Sequence, residues 1–321
     1  MEPETVAVAA SEPAAPVPVT VLAGFLGSGK TTLLNHVLAA DHGQRVTVFV
    51  NDFGSIDVDG RLIASRDATT ITLDNGCVCC TIGADLVSQL VGVLEASYPP
   101  ERVLVEASGV SDPGRLLVAL RDEHVRRLAR VDGVVTLVDA AAVDEIPPQG
   151  LELARRQLAA ADVIVLNKAD LVSTAELATV RGRLTYPAAR IVEASFGRVP
   201  LELVLGVGGA AAPGARAGDE HGHAHGIATW AWTSDEPLRY GPLRAVLGSL
   251  PADVFRAKGF VRLVEAPGQR VVAHVVGRRV EIRPLGPWNG DTPRTELVFI
   301  GLGPDVDRDA VDGRLEAATA P

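Results

Sequence analysis

The stretch Gly24-Phe25-Leu26-Gly27-Ser28-Gly29-Lys30-Thr31 has the spacing G-x-x-x-x-G-K-[ST], and it lies between an apolar run, Val17 to Ala23, and a helical pattern, Thr32 to Leu38. A strand, a glycine-rich loop and a helix in that order fix the local architecture. Glycines let successive backbone N–H groups turn inward toward phosphate oxygens, and the helix N-terminus adds partial positive charge. Gly24, Gly27, Ser28, Gly29, Lys30, Thr31 and Thr32 are therefore the candidate cradle for nucleotide phosphates. Lys30 is placed to bridge the β- and γ-phosphates, and the Thr31 hydroxyl to complete the shell of a Mg²⁺ ion.

Downstream, buried-strand patterns alternate with helical ones and deliver polar residues to the edge where those phosphates would lie. The run 44–50 leads into Asn51-Asp52, and Asp52 is a further candidate metal ligand. The strand 102–105 ends in Glu106-Ala107-Ser108-Gly109. A carboxylate there can hold a Mg²⁺-bound or attacking water, and the Gly109 N–H can approach the γ-phosphate. The other reading of Glu106 is a surface acid in a tight turn. The strands 131–138 and 162–166 follow, the second running into Asn167-Lys168-Ala169-Asp170, an N-K-x-D pattern. Guanine presents two adjacent donors that one carboxylate accepts in a fork, so Asp170 would discriminate against adenine by being left unpaired. Asn167 and Lys168 would fix that loop, and Ala194-Ser195-Phe196 would line the far side of the base. The nucleotide indicated is GTP.

All three cysteines fall in Cys77-Val78-Cys79-Cys80, after a short strand at 69–73. Three thiols in four residues do not make a disulfide framework; they can converge on one soft or borderline cation and leave a position open. Inert buried thiols and a redox cluster are the other readings. His221, His223 and His225 alternate within 206–226, where Gly, Ala and Pro dominate. That segment reads as a linker that either captures divalent metal weakly or is simply solvated. His36, His42, His124 and His274 stand apart and read as structural. Lysine occurs only at Lys30, Lys168 and Lys258, with arginine supplying every other basic side chain.

A formal charge of −10, with no evident basic patch, excludes a general nucleic-acid or membrane-surface binder. No apolar run approaches the length of a membrane span, so a cytoplasmic protein is expected. The expected fold class is α/β, a P-loop NTPase domain with a mostly parallel sheet plus a smaller α+β C-terminal domain. The expected division is a disordered leader over 1–16, the nucleotide domain over 17–205, the His-containing linker over 206–226, a C-terminal domain over 227–303 and a tail over 304–321. Within that second domain, strands are expected near 228–232, 254–265, 270–276, 279–283 and 295–300, and helices near 241–249 and 305–317. It carries no acid, base and nucleophile constellation, and recognition or oligomerisation is its expected role.

Taken together, Gly24 to Thr32, Asn75-Gly76-Cys77-Val78-Cys79-Cys80, Glu106 to Gly109 and Asn167 to Asp170 resemble the CobW-like family of P-loop GTPases. The His-containing linker, Lys258-Gly259-Phe260, Trp288 and Arg294 to Gly301 extend the resemblance over nearly everything after residue 16. It implies a GTP-hydrolysing metallochaperone that binds zinc or cobalt at Cys77, Cys79 and Cys80 and loads client metalloproteins. A metal buffer or sensor, and an activator of a nitrile hydratase or cobalamin-pathway enzyme, are the alternatives within that resemblance. Outside it stands a small-molecule kinase, against which N-K-x-D counts. Where relatives often carry Asn-Glu, this chain has Asn51-Asp52. The client and the oligomeric state, a homodimer among the options, stay open.

Overall fold

The structure is a computed structural model that describes residues 16–51, 69–73, 82–184, 189–206, 227–277, 279–303 and 306–320. Strands β1 (Val17–Gly24), β2 (Val46–Asn51), β3 (Thr69–Leu73), β4 (Arg102–Glu106), β5 (Ala129–Asp139), β6 (Val163–Asn167) and β7 (Arg190–Glu193) form one sheet in the order β3-β2-β4-β1-β5-β6-β7. Every pair is parallel. The central strands are continuous apolar runs because both faces are covered. Val19, Val21 and Ala23 of β1 enter one core, whereas Leu22 enters the core on the opposite face.

Helix α1 (Lys30–Ala39) covers one face through Leu33, Leu34 and Val37. The other face is covered by α2 (Ile82–Leu94), α3 (Pro113–Ala119) and α4 (Glu123–Leu128), which contribute Leu86, Leu90, Leu116 and Val125. Helices α5 (Pro148–Ala160), α6 (Thr174–Arg183) and α7 (Leu201–Leu205) complete this part of the chain. Polar caps start several of them. Asp112 accepts from Gly114 N at 2.8 Å, Asp122 from His124 N at 2.9 Å, and Ser173 with Glu176 forms a capping box.

The second sheet is antiparallel, in the order β11-β10-β9-β12-β8. Its strands are β8 (Ile227–Ser234), β9 (Val254–Val261), β10 (Gln269–Val276), β11 (Arg279–Pro287) and β12 (Thr295–Leu302). Helices α8 (Tyr240–Gly248) and α9 (Arg308–Glu316) bury Leu243, Leu247, Val311 and Leu315 in its core, where Trp230 stacks on Phe299 with ring centroids 5.0 Å apart. This is the expected α+β unit. Strand β9 stops at Val261, short of 265, because Leu263 leaves the ladder to bridge Leu238, and Arg262 N donates to Thr295 Oγ1. Among the described residues, no helix is long and apolar enough to cross a membrane.

The two units meet at the entrance of β5. Opposite β1, Val131 pairs with Val19 and Gly133 with Thr20, so Asp132 is one extra residue in the ladder. Such a bulge re-aims a side chain. Here it sends the Asp132 carboxylate, 1% exposed, to Arg256 Nη1 at 2.7 Å, Arg102 Nη1 at 2.9 Å and Arg130 Nη1 at 3.0 Å. Burial alone would raise this carboxyl, but Arg256 and then Arg102 hold it well below the usual range. Gly277, at φ 58°, lets the second unit close on the first, since a Cβ there would lie 2.2 Å from Asp162 O.

His274 completes the cluster. Its Nδ1 takes a hydrogen bond from Arg130 Nη1 at 3.3 Å, which requires a lone pair, and its Nε2 lies 3.3 Å from Asp132 Oδ1. The ring is therefore neutral, and burial first, with the arginines and Lys258 opposing Asp132, lowers its pKa to about 3. A histidine that stays neutral when folded but protonates near 6.5 when unfolded stabilises fully above pH 6.5, and the contribution is lost as pH falls from 6.5 toward 3. Between pH 7 and pH 5 this group alone is expected to remove about 2 kcal/mol. Urea midpoints measured across that range should fall in the wild type and flatten in His274→Gln; equal slopes in the two would refute the assignment.

Candidate functional site at the carboxyl ends of the parallel strands

The loop between β1 and α1 is bent by three glycines with positive φ: Gly24 at 139°, Gly27 at 74° and Gly29 at 99°. Two of them also have no room for a side chain. A Cβ on Gly24 would sit 2.4 Å from Leu137 O, and one on Gly29 2.3 Å from Asn167 Nδ2. Gly29 is the N-cap of α1 and supplies no side-chain cap bond, so the first N–H groups of the helix face the loop mouth. Lys30, 7% exposed, curls over the loop and donates to Gly24 O at 3.0 Å and Phe25 O at 3.3 Å. Ser28 is buried and its Oγ has no hydrogen-bond partner among the described residues. Thr32 is exposed in the first turn.

Strand β4 lies beside β1 and brings Glu106, 4% exposed, to the same mouth. Thr31 Oγ1 is 3.3 Å from Glu106 Oε1. Two hard oxygens this close, one of them anionic, suit a Mg²⁺ ion with its water, so the residues present fit the ion expected from the motif. Gly109 is packed directly on the phosphate-side loop, where a Cβ would be 2.8 Å from Leu26 N. Its carbonyl and that of Ser111 accept from Gln157 Nε2 of α5 at 3.3 and 3.2 Å.

On the other side, Asn167 at the end of β6 is a fastener. Its Nδ2 donates to Ser28 O at 2.9 Å and its Oδ1 accepts from Gly197 N at 3.0 Å, which ties the loops after β1, β6 and β7 together. Gly197, at φ 65°, in turn abuts α1, where a Cβ would lie 2.7 Å from Leu33 N. Lys168 adopts a left-handed backbone at φ 61° and its ammonium pairs with Asp139 Oδ2 at 2.6 Å. Asp139 Oδ1 accepts from Ala141 N and Ala142 N at 3.0 and 3.2 Å. Asp170 is exposed in the short 3-10 turn Ala169–Leu171. Opposite stand Ser195, half-buried, and Phe196, 65% exposed. Ala169 N donates to Ala194 O at 3.0 Å, holding the two loops at a fixed spacing.

The structure thus gathers Gly24, Gly27, Ser28, Gly29, Lys30, Thr31, Thr32, Glu106, Gly109, Asn167, Lys168, Asp170 and Ser195 at one end of one sheet. Cys77, Cys79 and Cys80, together with Asp52, His221, His223 and His225, lie outside the described residues. Among the described residues, no group of three or more His, Cys, Asp or Glu is arranged to hold a metal. Asp139, Gln157 and Gly197 support the site without any motif marking them. Asp139 could have been read from its place at the end of a buried strand.

Comparison with known proteins gives the family to which the chain belongs. The family described as CobW/HypB/UreG, nucleotide-binding domain, matches residues 18–190, and the cobalamin synthesis protein cobW C-terminal domain matches residues 227–319. A protein named zinc chaperone CobW, from Sinorhizobium sp, is 32% identical over 94% of this chain and 97% of its own length. Zinc chaperone YjiA from Escherichia coli (strain K12) is 30% identical over 89% of this chain and 94% of its own. Among solved structures, Zn(II)-bound YjiA GTPase from E. coli aligns with 95% of this chain and 100% of that one at 24% identity, with a TM-score of 0.46. The chain belongs to the CobW family of P-loop GTPases, a CobW/HypB/UreG nucleotide-binding domain followed by the cobW C-terminal domain.

Proposed function

We propose that this protein hydrolyses GTP and uses the cycle to carry zinc, bound at Cys77, Cys79 and Cys80, to client metalloproteins. The observation that carries the nucleotide half is the convergence of the uncapped α1 N-terminus, Lys30 and the Thr31–Glu106 pair at one loop mouth. Relatives named zinc chaperones, matched along nearly the whole chain, support zinc as the cargo, with cobalt the alternative.

In this reading the backbone N–H groups of residues 27–31 bind and orient the phosphates. Lys30 gives up loop carbonyls for the β- and γ-phosphate oxygens. Mg²⁺, held by Thr31 with Glu106 beside it, supplies charge neutralisation at the phosphates when bound. Glu106 orients the attacking water, and the Gly109 N–H follows the γ-phosphate. Asp170 accepts the two guanine donors, with Ser195 and Phe196 on the other side of the base.

The cysteines lie in sequence between Asn51 to Asp59 and Glu106 to Asp112, the two segments to which this reading gives the sensing of the γ-phosphate. Ordering of those segments by GTP changes the metal affinity of the thiol segment, and hydrolysis reverses the bias. Linkage requires the converse: a metal that prefers one nucleotide state strengthens nucleotide binding in that state.

The test is competitive titration of zinc and of cobalt into reduced protein holding GDP or a non-hydrolysable GTP analogue, with the triple Cys77→Ala, Cys79→Ala, Cys80→Ala variant alongside. Zinc affinity is expected to differ at least about fivefold between nucleotide states, the lower end of ordinary allosteric coupling. It should vanish in the variant, which should still bind GTP. Equal affinity in both states would sink the coupling, and unchanged binding in the variant would remove the thiols from the metal site.

A further inference from the structure

Helix α5 buries only two of its residues, Gly150 and Gln157, and each is fixed to the frame of the nucleotide site. Gly150 packs on the phosphate loop, where a Cβ would lie 2.7 Å from Phe25 Cζ. The Gln157 carbonyl accepts from Thr136 Oγ1 of β5 at 3.1 Å. The helix therefore keeps one register against β5 and against the loop after β1. The Gln157 side chain, on a residue 1% exposed, is unusual chemistry for such a position. A buried glutamine gives up more side-chain freedom and more hydration than a leucine would, so its amide needs partners there.

Those partners are the carbonyls of Gly109 and Ser111, which accept from the one nitrogen, Nε2, at 3.3 and 3.2 Å. Between them the chain turns. Ser111 N donates to Ser108 O at 2.9 Å, and Val110 N lies 3.5 Å from Ser108 Oγ. Neither of these bonds uses the Gly109 N–H. The flanks of the turn are anchored as well: Ala107 N donates to Leu22 O of β1 at 2.8 Å, and Asp112 caps α3 through Gly114 N at 2.8 Å while pairing with Arg156 of α5 at 3.5 Å. Gly109 also abuts the phosphate loop, with no space for a side chain beside Leu26. One helix thus sets Gly150 against the phosphate loop and Gln157 against this turn, and so fixes their spacing.

We infer that Gln157 is a positioning residue for the γ-phosphate: it presets the Ser108–Ser111 turn so that the Gly109 N–H is presented to GTP, and thereby raises the affinity for GTP over GDP. This rests on the GTPase reading above. The carbonyl that Gln157 holds and the N–H offered to phosphate belong to the two peptide groups of one residue, Gly109, joined by only two soft dihedrals, so fixing the first restricts the second. A donor aimed in advance needs no reorganisation when the phosphate arrives. GDP has no γ-phosphate to meet it, and a contact made by one nucleotide alone separates their affinities.

The test titrates the full chain with GDP and with a non-hydrolysable GTP analogue, both with Mg²⁺, as wild type, Gln157→Met and Gln157→His. Methionine keeps the length of the side chain and removes the donor; histidine keeps an Nε2–H. The analogue should bind Gln157→Met about tenfold more weakly, the loss of one or two neutral hydrogen bonds, while GDP stays within about twofold of wild type. Gln157→His should recover part of the loss. An analogue affinity that does not fall, or a fall matched by GDP, overturns the role, because a merely structural residue does not distinguish the two nucleotides. A histidine variant no better than methionine overturns the assignment to the donor. A wild type that binds neither nucleotide overturns the GTPase reading itself, and the role with it. Amide hydrogen exchange in the wild type without nucleotide needs no variant to fold: the Ser111 N–H should exchange far more slowly than in an unfolded chain, and exchange at the unfolded rate overturns the preset turn.

Discussion

Replacing Asp132 with alanine should lower the unfolding free energy by about 3–5 kcal/mol, the range for removing one partner of a buried charge cluster. The loss would not be that of a single bond. Arg102, Arg256 and Arg130 each keep a buried or half-buried charge without the carboxylate that pairs with all three, and His274 loses the acceptor of its Nε2 proton. Asp132→Asn keeps the shape and loses the charge, so it should fall between wild type and alanine. Two probes make the measurement more informative. Tryptophan occurs only at Trp230, Trp232 and Trp288, all in the second unit, whereas far-ultraviolet circular dichroism reports both. The two urea transitions should coincide in the wild type and separate in the alanine variant, because the cluster is part of what makes the units unfold together. A loss under about 1 kcal/mol, with coincident transitions, would show that water replaces the carboxylate at little cost.

The second large effect is expected at Lys30. Lys30→Met retains the volume of a side chain that is 7% exposed but removes the ammonium that now holds Gly24 O and Phe25 O. GTP hydrolysis, followed as phosphate release, should drop about 10²–10³-fold, the usual cost of removing one preorganised donor from developing charge. Circular dichroism and the thermal midpoint should change little, since the apolar cores on either face of the sheet do not include the ammonium. Hydrolysis within tenfold of wild type would remove Lys30 from the reaction, and a collapse of the midpoint would recast it as a structural residue.

The strands and the nucleotide motifs could be read from the chain because their signals are local. Val163 to Leu166 is apolar without interruption since both faces are covered, and Asn167 to Asp170 follows at once. Helices α5 and α6 gave no such signal. Only Gly150 and Gln157 of α5, and only Val180 of α6, are buried, so neither helix sets a row of large apolar side chains in the core. For α6 the capping box of Ser173 and Glu176 was the available clue. Gln157 reads as a surface residue until its amide is seen on the carbonyls of Gly109 and Ser111. The seam was illegible for a different reason. Val131 to Val138 reads as one strand with an acid inside it, and nothing local says that Asp132 is an extra residue opposite β1. His274, taken alone as structural, acquires its meaning from partners 142 and 144 positions away, Asp132 and Arg130.

One further consequence lies in the strand order. Strand β3 is at one outer margin of the seven and, among the described residues, pairs with β2 alone through five residues, Thr69 to Leu73; Cys77 follows four residues later in the sequence. A marginal strand can peel away by breaking a single ladder, whereas β4 or β1 would have to break two. Cys77 is thus joined in sequence to one of the two strands of this sheet that a single ladder holds, and fraying of that ladder is expected to cost less than opening any inner strand.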